Sequence, residues 1–210
     1  MLAKFQSDPS IKHWKTLKTL IRYVKGTTGT GILLPGGAGV ALTAWSDADW
    51  ARDQSRRRSR SGYLLTVNGG PVVWSSKLQN ATTLSTTEAE FYALSSCVRD
   101  VQWMRAVLDE LQGHQGKPTV IYQDNLGTIR WTEDVQGLRK VKHIGIRYHF
   151  VRDAVEDKDV TVVYTESAKN RADSLTKILP GEPFGIHRRW LGCYAPDELT
   201  CPRGGVSKDD

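Results

Sequence analysis

Two short β-forming runs, each closed by an aspartate, flank one long amphipathic helical stretch. This arrangement constrains the fold more than any other feature. The first run, 40–46, leads into Asp47; the second, 119–123, leads into Asp124. Between them, over residues 85–111, Phe91, Leu94, Val98, Val101, Leu108 and Leu111 recur at helical spacing. A helix of this length is the right size for a crossover that leaves its two strands parallel. Parallel neighbours ending together deliver both aspartates to one sheet edge, where open α/β sheets usually bind ligands. Aspartate at a strand end also simply starts turns.

The rest of the pattern fills in around this unit. Residues 63–67 and 72–75 are β-like and flank Asn68-Gly69-Gly70, a hairpin signal. Residues 51–60, rich in arginine, read as a polar basic loop. Short helices are expected over 125–131, 141–155 and 170–179, and a last strand over 160–164. The order β-β-β-α-β-α-β-α implies an α/β fold: a mixed sheet of three antiparallel strands followed by two parallel ones, flanked by helices. Upstream, Ile11, Trp14, Leu17, Leu20, Ile21 and Val24 mark an amphipathic packing helix after Asp8-Pro9-Ser10. Pro35-Gly36-Gly37-Ala38-Gly39 reads as a connector. The expected organisation is therefore 1–39 as helix and linker, 40–180 as the main domain, and 181–210 as an extension with a disordered tail.

Two further acids join Asp47 and Asp124 as candidates. In Thr86-Thr87-Glu88-Ala89-Glu90, the apolar stripe centres near Glu90, at about 100° per residue, and Glu88 points roughly 160° away. A glutamate aimed at the sheet needs a partner, and a cation is a good one; Glu88 is explained by the helix dipole. Asp173 opens the expected last helix, where the dipole also favours an acid. Converging carboxylates repel, and hard divalent cations relieve this. Two such ions about 4 Å apart suit phosphodiester hydrolysis.

Composition narrows the setting. The 210 residues carry a net charge of +6, which favours polyanionic partners without demanding them. Arg56, Arg57, Arg58 and Arg60 form one basic group and Lys140, Lys142 and Arg147 another; both read either as phosphate contacts or as solvated loop charge. Trp50 and Tyr63 read as core packing, with a place near the nucleic acid as the alternative. His143 and His149 read as structural, with proton transfer as the alternative. Three scattered cysteines argue against a disulfide framework, and His187, Cys193 and Cys201 lack zinc-site spacing. No stretch approaches the roughly 20 apolar residues that span a bilayer, and residues 1–10 lack a signal-peptide core.

Ser46-Asp47-Ala48-Asp49-Trp50-Ala51, Arg58-Ser59-Arg60-Ser61-Gly62-Tyr63, Trp74-Ser75-Ser76-Lys77 and Leu84-Ser85-Thr86-Thr87-Glu88-Ala89-Glu90-Phe91 occur in this order. Lys142-His143-Ile144, Ile146-Arg147-Tyr148-His149-Phe150 and Ala172-Asp173-Ser174-Leu175-Thr176-Lys177 follow. Together they resemble the ribonuclease H region of copia-type LTR-retrotransposon polyproteins. The blocks around His13-Trp14 and Ile21 to Thr27 resemble the end of the preceding reverse transcriptase region. The resemblance implies a ribonuclease H-like fold with a five-stranded mixed sheet. It also implies hydrolysis of the RNA strand of RNA–DNA hybrids with two Mg²⁺ or Mn²⁺ ions, and Asp47, Glu90, Asp124 and Asp173 as the catalytic, metal-holding acids. Expected partners are the hybrid and the reverse transcriptase region of the same polyprotein. The expected setting is intracellular: cytoplasmic, in a virus-like particle, or nuclear. The chain is then a C-terminal piece of a polyprotein or a gene derived from one. Gly145 stands where the family usually has Asp, and Arg52 where it usually has Gly. A catalytically inactive nucleic-acid-binding remnant is the alternative. An integrase-type nuclease is disfavoured by the glutamate placed between Asp47 and Asp124.

Overall fold

The computed structural model describes residues 2–37, 39–53, 58–80, 82–133 and 145–199. Helix α1 (Ile11–Gly26) and strand β1 (Gly31–Ile32) come first, followed by strands β2 (Leu42–Asp53), β3 (Arg58–Val67) and β4 (Gly70–Leu78). Then come α2 (Thr86–Glu110), β5 (Thr119–Gln123), α3 (Leu126–Glu133), α4 (Gly145–Glu156), β6 (Val160–Tyr164) and the one-turn α5 (Asp173–Thr176). The last elements are α6 (Gly181–Trp190), β7 (Cys193–Tyr194) and α7 (Pro196–Leu199). Residues 33–192 make one compact unit; 1–32 with 193–210 make a second.

In the larger unit, Asn68 and Gly69 take φ of 51° and 82°, the two positive values of a type I′ turn, whose twist suits a hairpin. The Asn68 carboxamide accepts from Ala41 N (2.9 Å) and donates to Gly39 O (3.0 Å), tying the turn to the chain entering β2. Strands β2, β3 and β4 pair antiparallel. The long α2 then carries the chain back so that β5 lies parallel to β2, and β6 parallel to β5. The sheet order β4-β3-β2-β5-β6 gives the α/β, ribonuclease H-like arrangement with a five-stranded mixed sheet that the sequence led us to expect.

Alternation along β2 assigns the two faces. Ala44 joins Phe91, Leu94, Val98 and Val101 of α2 and Tyr148 and Val151 of α4 in the main core. Trp45 faces the other way, with Leu64, Ala172, Leu175 and Leu191. Ser46 and Ala48 therefore look toward α2, and Asp47 toward α5.

Several expectations need correcting. Asp47 does not end its strand: β2 runs on to Asp53, paired with β3 as far as Asp53↔Arg58. Residues 51–53 and 58–60, read as loop, belong to strands. A hydrophobic pattern stops at the first charges, whereas a hairpin extension held by backbone pairing needs no apolar side chains. The helix expected at 170–179 is a single turn, and α6 follows, where the pattern had weakened. Trp50 is 46% exposed rather than core, with its indole N–H donating to Thr83 O (3.3 Å). In the smaller unit, α1 has no buried residue, and Phe5 stacks on His13 of its first turn at 3.9 Å. There β1 pairs antiparallel with β7. No described helix is long and apolar enough to cross a membrane.

One glycine controls how closely α5 meets the sheet. Gly62 is the cross-strand partner of Asp47. A Cβ there would lie 2.6 Å from Thr176 Cγ2, 2.9 Å from Leu175 Cβ and 3.3 Å from the Ala172 carbonyl oxygen. We expect Gly62→Ala to cost about 1–3 kcal/mol by overpacking and to weaken divalent-metal binding by moving α5. Gly185→Ala, where a Cβ meets nothing within 4 Å, should be neutral or stabilising by up to about 1 kcal/mol. Denaturant melts and metal titration of both variants check this. Equal stabilities for the two would refute the close-approach argument.

Candidate metal centre

Strand register brings the first two acids level. Trp45 pairs with Tyr122 across the parallel β2/β5 ladder, and two residues further along each chain stands an aspartate, Asp47 or Asp124. β5 ends at Gln123 while β2 continues, so Asp47 lies just past the end of its parallel neighbour. Asp173, the first residue of α5, comes over the same edge from the other side. One carboxylate oxygen from each of Asp47, Asp124 and Asp173 can be chosen so that all three lie within 4.8 Å of one another.

Burial makes this group energetically unusual. Asp47 is 1% and Asp173 9% exposed, while Asp124 is half-buried. Burial pushes the Asp47 carboxyl up to about 6; the charges of Asp173 and Asp124 add to the rise, and Lys177 and the Thr176 hydroxyl oppose it. Burial likewise raises Asp173, against the Lys177 ammonium.

Glu90 sits on the α2 side of the same edge. It is 7% exposed, and its carboxyl is pushed up to about 10, first by burial and then by the charges of Asp47 and Asp124. It lies outside the 4.8 Å set, but within the electrostatic reach of two of its members. Glu88, which helical geometry turns toward solvent or the sheet edge, is only 4% exposed. It caps α2: its carboxylate accepts from Leu84 N (2.6 Å), and its own N–H donates to Ser85 Oγ (3.1 Å).

Polar side chains that the sequence did not single out hold the acids in place. The fully buried Gln123 donates to Ser46 Oγ (3.1 Å) and Glu90 Oε2 (3.4 Å). Its carbonyl accepts from the backbone N–H of Asp124 (2.8 Å) and Asn125 (3.1 Å). One carboxamide thus joins β2, α2 and the turn after β5. Asn170, also fully buried, donates to Ser46 O (2.9 Å) and accepts from Ala172 N (3.1 Å), pinning the approach to α5 onto β2. Ser167 Oγ donates to Asp124 Oδ2 (2.6 Å), and the Thr176 hydroxyl donates to Asp47 Oδ2. Lys177 Nζ lies 2.8 Å from Asp173 Oδ1 and 3.3 Å from Asp47 Oδ1. Only the Asp173/Lys177 pair had a visible signal, the i,i+4 spacing of opposite charges.

The basic candidates divide. Arg56, Arg57, Lys140, Lys142 and His143 lie outside the described residues. Arg60, on β3, donates to Ser76 O (3.4 Å) and Oγ (3.3 Å), and Arg58 is half-buried on the same strand. Arg147 helps pack α4 on α2: its guanidinium lies 3.8 Å from the Tyr92 ring centroid and donates to Ser95 Oγ (2.8 Å). His149 is exposed and meets the Tyr148 ring edge-on. Tyr63 is 4% exposed and donates from its hydroxyl to Asp100 Oδ2 (2.5 Å). At Gly145 a Cβ would meet nothing within 4 Å.

The raised acids carry a pH signature. Burial lets Asp47 keep its proton up to about pH 6 and Glu90 up to about pH 10 in the folded chain, against ordinary carboxyl values of 3.8 and 4.5. Between those limits the folded state holds more protons than the unfolded one, so their contribution to stability falls as pH rises. In chelator, the melting temperature should drop from about pH 5 to about pH 8, and saturating Mg²⁺ should reduce that drop. A metal-free melting temperature that rises over this range would contradict the burial argument.

The donor set is oxygen-only and poor in counter-charge, which fits a hard divalent cation. No protein-family model matches the chain. The chain is 36% identical over 195 residues to the retrovirus-related Pol polyprotein of transposon TNT 1-94 from Nicotiana tabacum, covering 93% of this chain and 14% of the polyprotein. It is also 36% identical over 191 residues to that of transposon RE2 from Arabidopsis thaliana, covering 91% of this chain and 13% of the polyprotein. It therefore spans about one seventh of the length of these relatives. Among solved structures, a ribonuclease H1 isolated from compost superposes with a TM-score of 0.49 at 19% identity, over 65% of this chain and 92% of the other. Over most of its length the chain is thus homologous to a segment of the retrovirus-related Pol polyproteins of copia-type transposons.

Proposed function

We propose that this chain is a metal-dependent endonuclease that hydrolyses the RNA strand of RNA–DNA hybrids during reverse transcription of a copia-type element. The observation that carries the reading is the convergence of Asp47, Asp124 and Asp173 within 4.8 Å, with the buried Glu90 beside them. A fold gains nothing from burying like charges together, so the cluster makes sense as the holder of a cation. In this reading Asp47, Glu90, Asp124 and Asp173 hold two Mg²⁺ or Mn²⁺ ions. Divalent ions supply Lewis acidity: they offset phosphate charge and make water a competent nucleophile near neutral pH.

The protein's own share is positioning. Gln123 orients Glu90 and the Asp124 backbone, Ser167 orients the Asp124 carboxylate, and Thr176 orients Asp47. Each removes a freedom that a ligand would otherwise lose on binding. Arg58 and Arg60, on the strand bearing Gly62, are candidates for sequence-independent phosphate contacts. The reverse transcriptase region of the same polyprotein is the natural source of the hybrid.

The test is cleavage of an RNA-labelled hybrid with Mg²⁺. Wild type should cut it, and Asp47→Asn or Asp124→Asn should lower the rate by at least about 100-fold with folding unchanged. Binding of the hybrid without cleavage by wild type would identify a non-catalytic remnant. Equal cleavage by Asp124→Asn would remove the site from consideration.

A further inference from the structure

We infer that Lys177 is a built-in substitute for metal. In the metal-free protein its ammonium bridges Asp47 and Asp173 and holds the site assembled, and a divalent ion binds by displacing it. This deepens the reading above and rests on its assignment of the acids as metal ligands.

Four observations carry the inference. The first is which atoms Lys177 uses. Its Nζ contacts Asp173 Oδ1 at 2.8 Å and Asp47 Oδ1 at 3.3 Å, oxygens of two of the three carboxylates that converge within 4.8 Å. An ammonium bonded to those oxygens and a divalent ion ligated by them would stand only a few ångströms apart. At such a separation two cations repel strongly in a buried site, so occupancy is competitive.

The second is the charge balance. Among the described residues Lys177 is the cation ion-paired to these acids, at Asp47 and Asp173. Without it or a metal, the donors that the described residues offer these acids are the neutral Thr176 and Ser167 hydroxyls and the Gln123 carboxamide.

The third is its tether. Lys177 immediately follows the single turn of α5, and its N–H donates to Asp173 O (2.8 Å). The backbone is therefore anchored, and a four-carbon stem separates it from the ammonium. The fourth is its route out. The Lys177 side chain is 32% exposed, against 1% for Asp47 and 12% for Asp173. Lysine suits this role because it is a compact charge on a flexible stem.

The test uses the 210-residue chain and Mn²⁺ titrated calorimetrically in the absence of nucleic acid. Lys177→Met should bind Mn²⁺ at least about tenfold more tightly than wild type, because no charge-assisted hydrogen bonds have to be broken first. Its metal-free melting temperature should be lower and its gain on adding Mn²⁺ larger. Lys177→Arg, which keeps the charge, should stay near wild type. A folded Lys177→Met with unchanged or weaker Mn²⁺ affinity overturns the inference.

Nuclear magnetic resonance of the wild-type lysine ammonium groups gives an answer even if Lys177→Met does not fold. Slow hydrogen exchange at Lys177 that is lost on adding Mg²⁺ supports displacement; an ammonium signal indifferent to saturating Mg²⁺ overturns it. The two readings fail separately. Wild type that binds Mn²⁺ with displacement of Lys177 but never cuts a hybrid refutes the nuclease alone. Cleavage with equal Mn²⁺ affinity in wild type and Lys177→Met refutes the lysine's role alone. Absence of Mn²⁺ binding in both proteins overturns both.

Discussion

Carboxylates packed together away from water repel, and each loses its hydration; a domain whose net stability is only about 5–15 kcal/mol has little room for that. The site at the end of β5 is organised around this problem. Asp47 and Glu90 are raised well above their ordinary values by burial first and by neighbouring charge second. Two remedies are visible within the chain: the proton that Glu90 holds at neutral pH, and the Lys177 ammonium between Asp47 and Asp173. A divalent cation would be a third. All three answer the same electrostatic demand, so each is expected to substitute for the others.

The scaffold keeps this demand from being relieved by simple separation. The parallel pairing of Trp45 with Tyr122 sets Asp47 and Asp124 at the same height. Gln123 and Asn170, both fully buried, bolt β2 to α2 and to the approach of α5 through the two sides of Ser46. Gly62 removes the one side chain that would hold α5 away from Asp47. The acids are therefore held near one another by backbone register and by hydrogen bonds from neutral amides, which add no charge of their own. That is the arrangement a preorganised cation site needs, because ligands fixed in advance lose little freedom when the ion arrives.

Much of this was legible in the chain before any coordinates. The hairpin turn followed from Asn68-Gly69, because few residues accept positive φ at two successive positions. The strand 119–123 and the long helix were set by local composition and spacing, and the Glu90 direction by helical geometry alone. The extension of β2 past Asp47 was not legible. Three of residues 49–53 are charged, and the backbone pairing with β3 as far as Asp53↔Arg58 carries the strand through them. Nor was the brevity of α5: of an apparently helical 170–179, Asn170 gives its side chain to β2 before the helix, and the backbone turns extended at Lys177 after one turn. Arg147 shows the same limit: a charge in sequence reads as available, and only packing reveals that it lies on Tyr92.

The sequence by itself determined which acids were available, the order of the elements that carry them, and the resemblance that ties them to hybrid hydrolysis. These properties depend on local residue type and on period, which need no knowledge of partners. The tertiary structure decided which of those acids share a point, and what stands among them. Asp47, Asp124 and Asp173 meet within 4.8 Å, Glu90 lies beside them, and Lys177 bridges two of them. Contacts between residues more than a hundred positions apart depend on strand register and close approach. Those are properties of the packed chain, and no single segment encodes them.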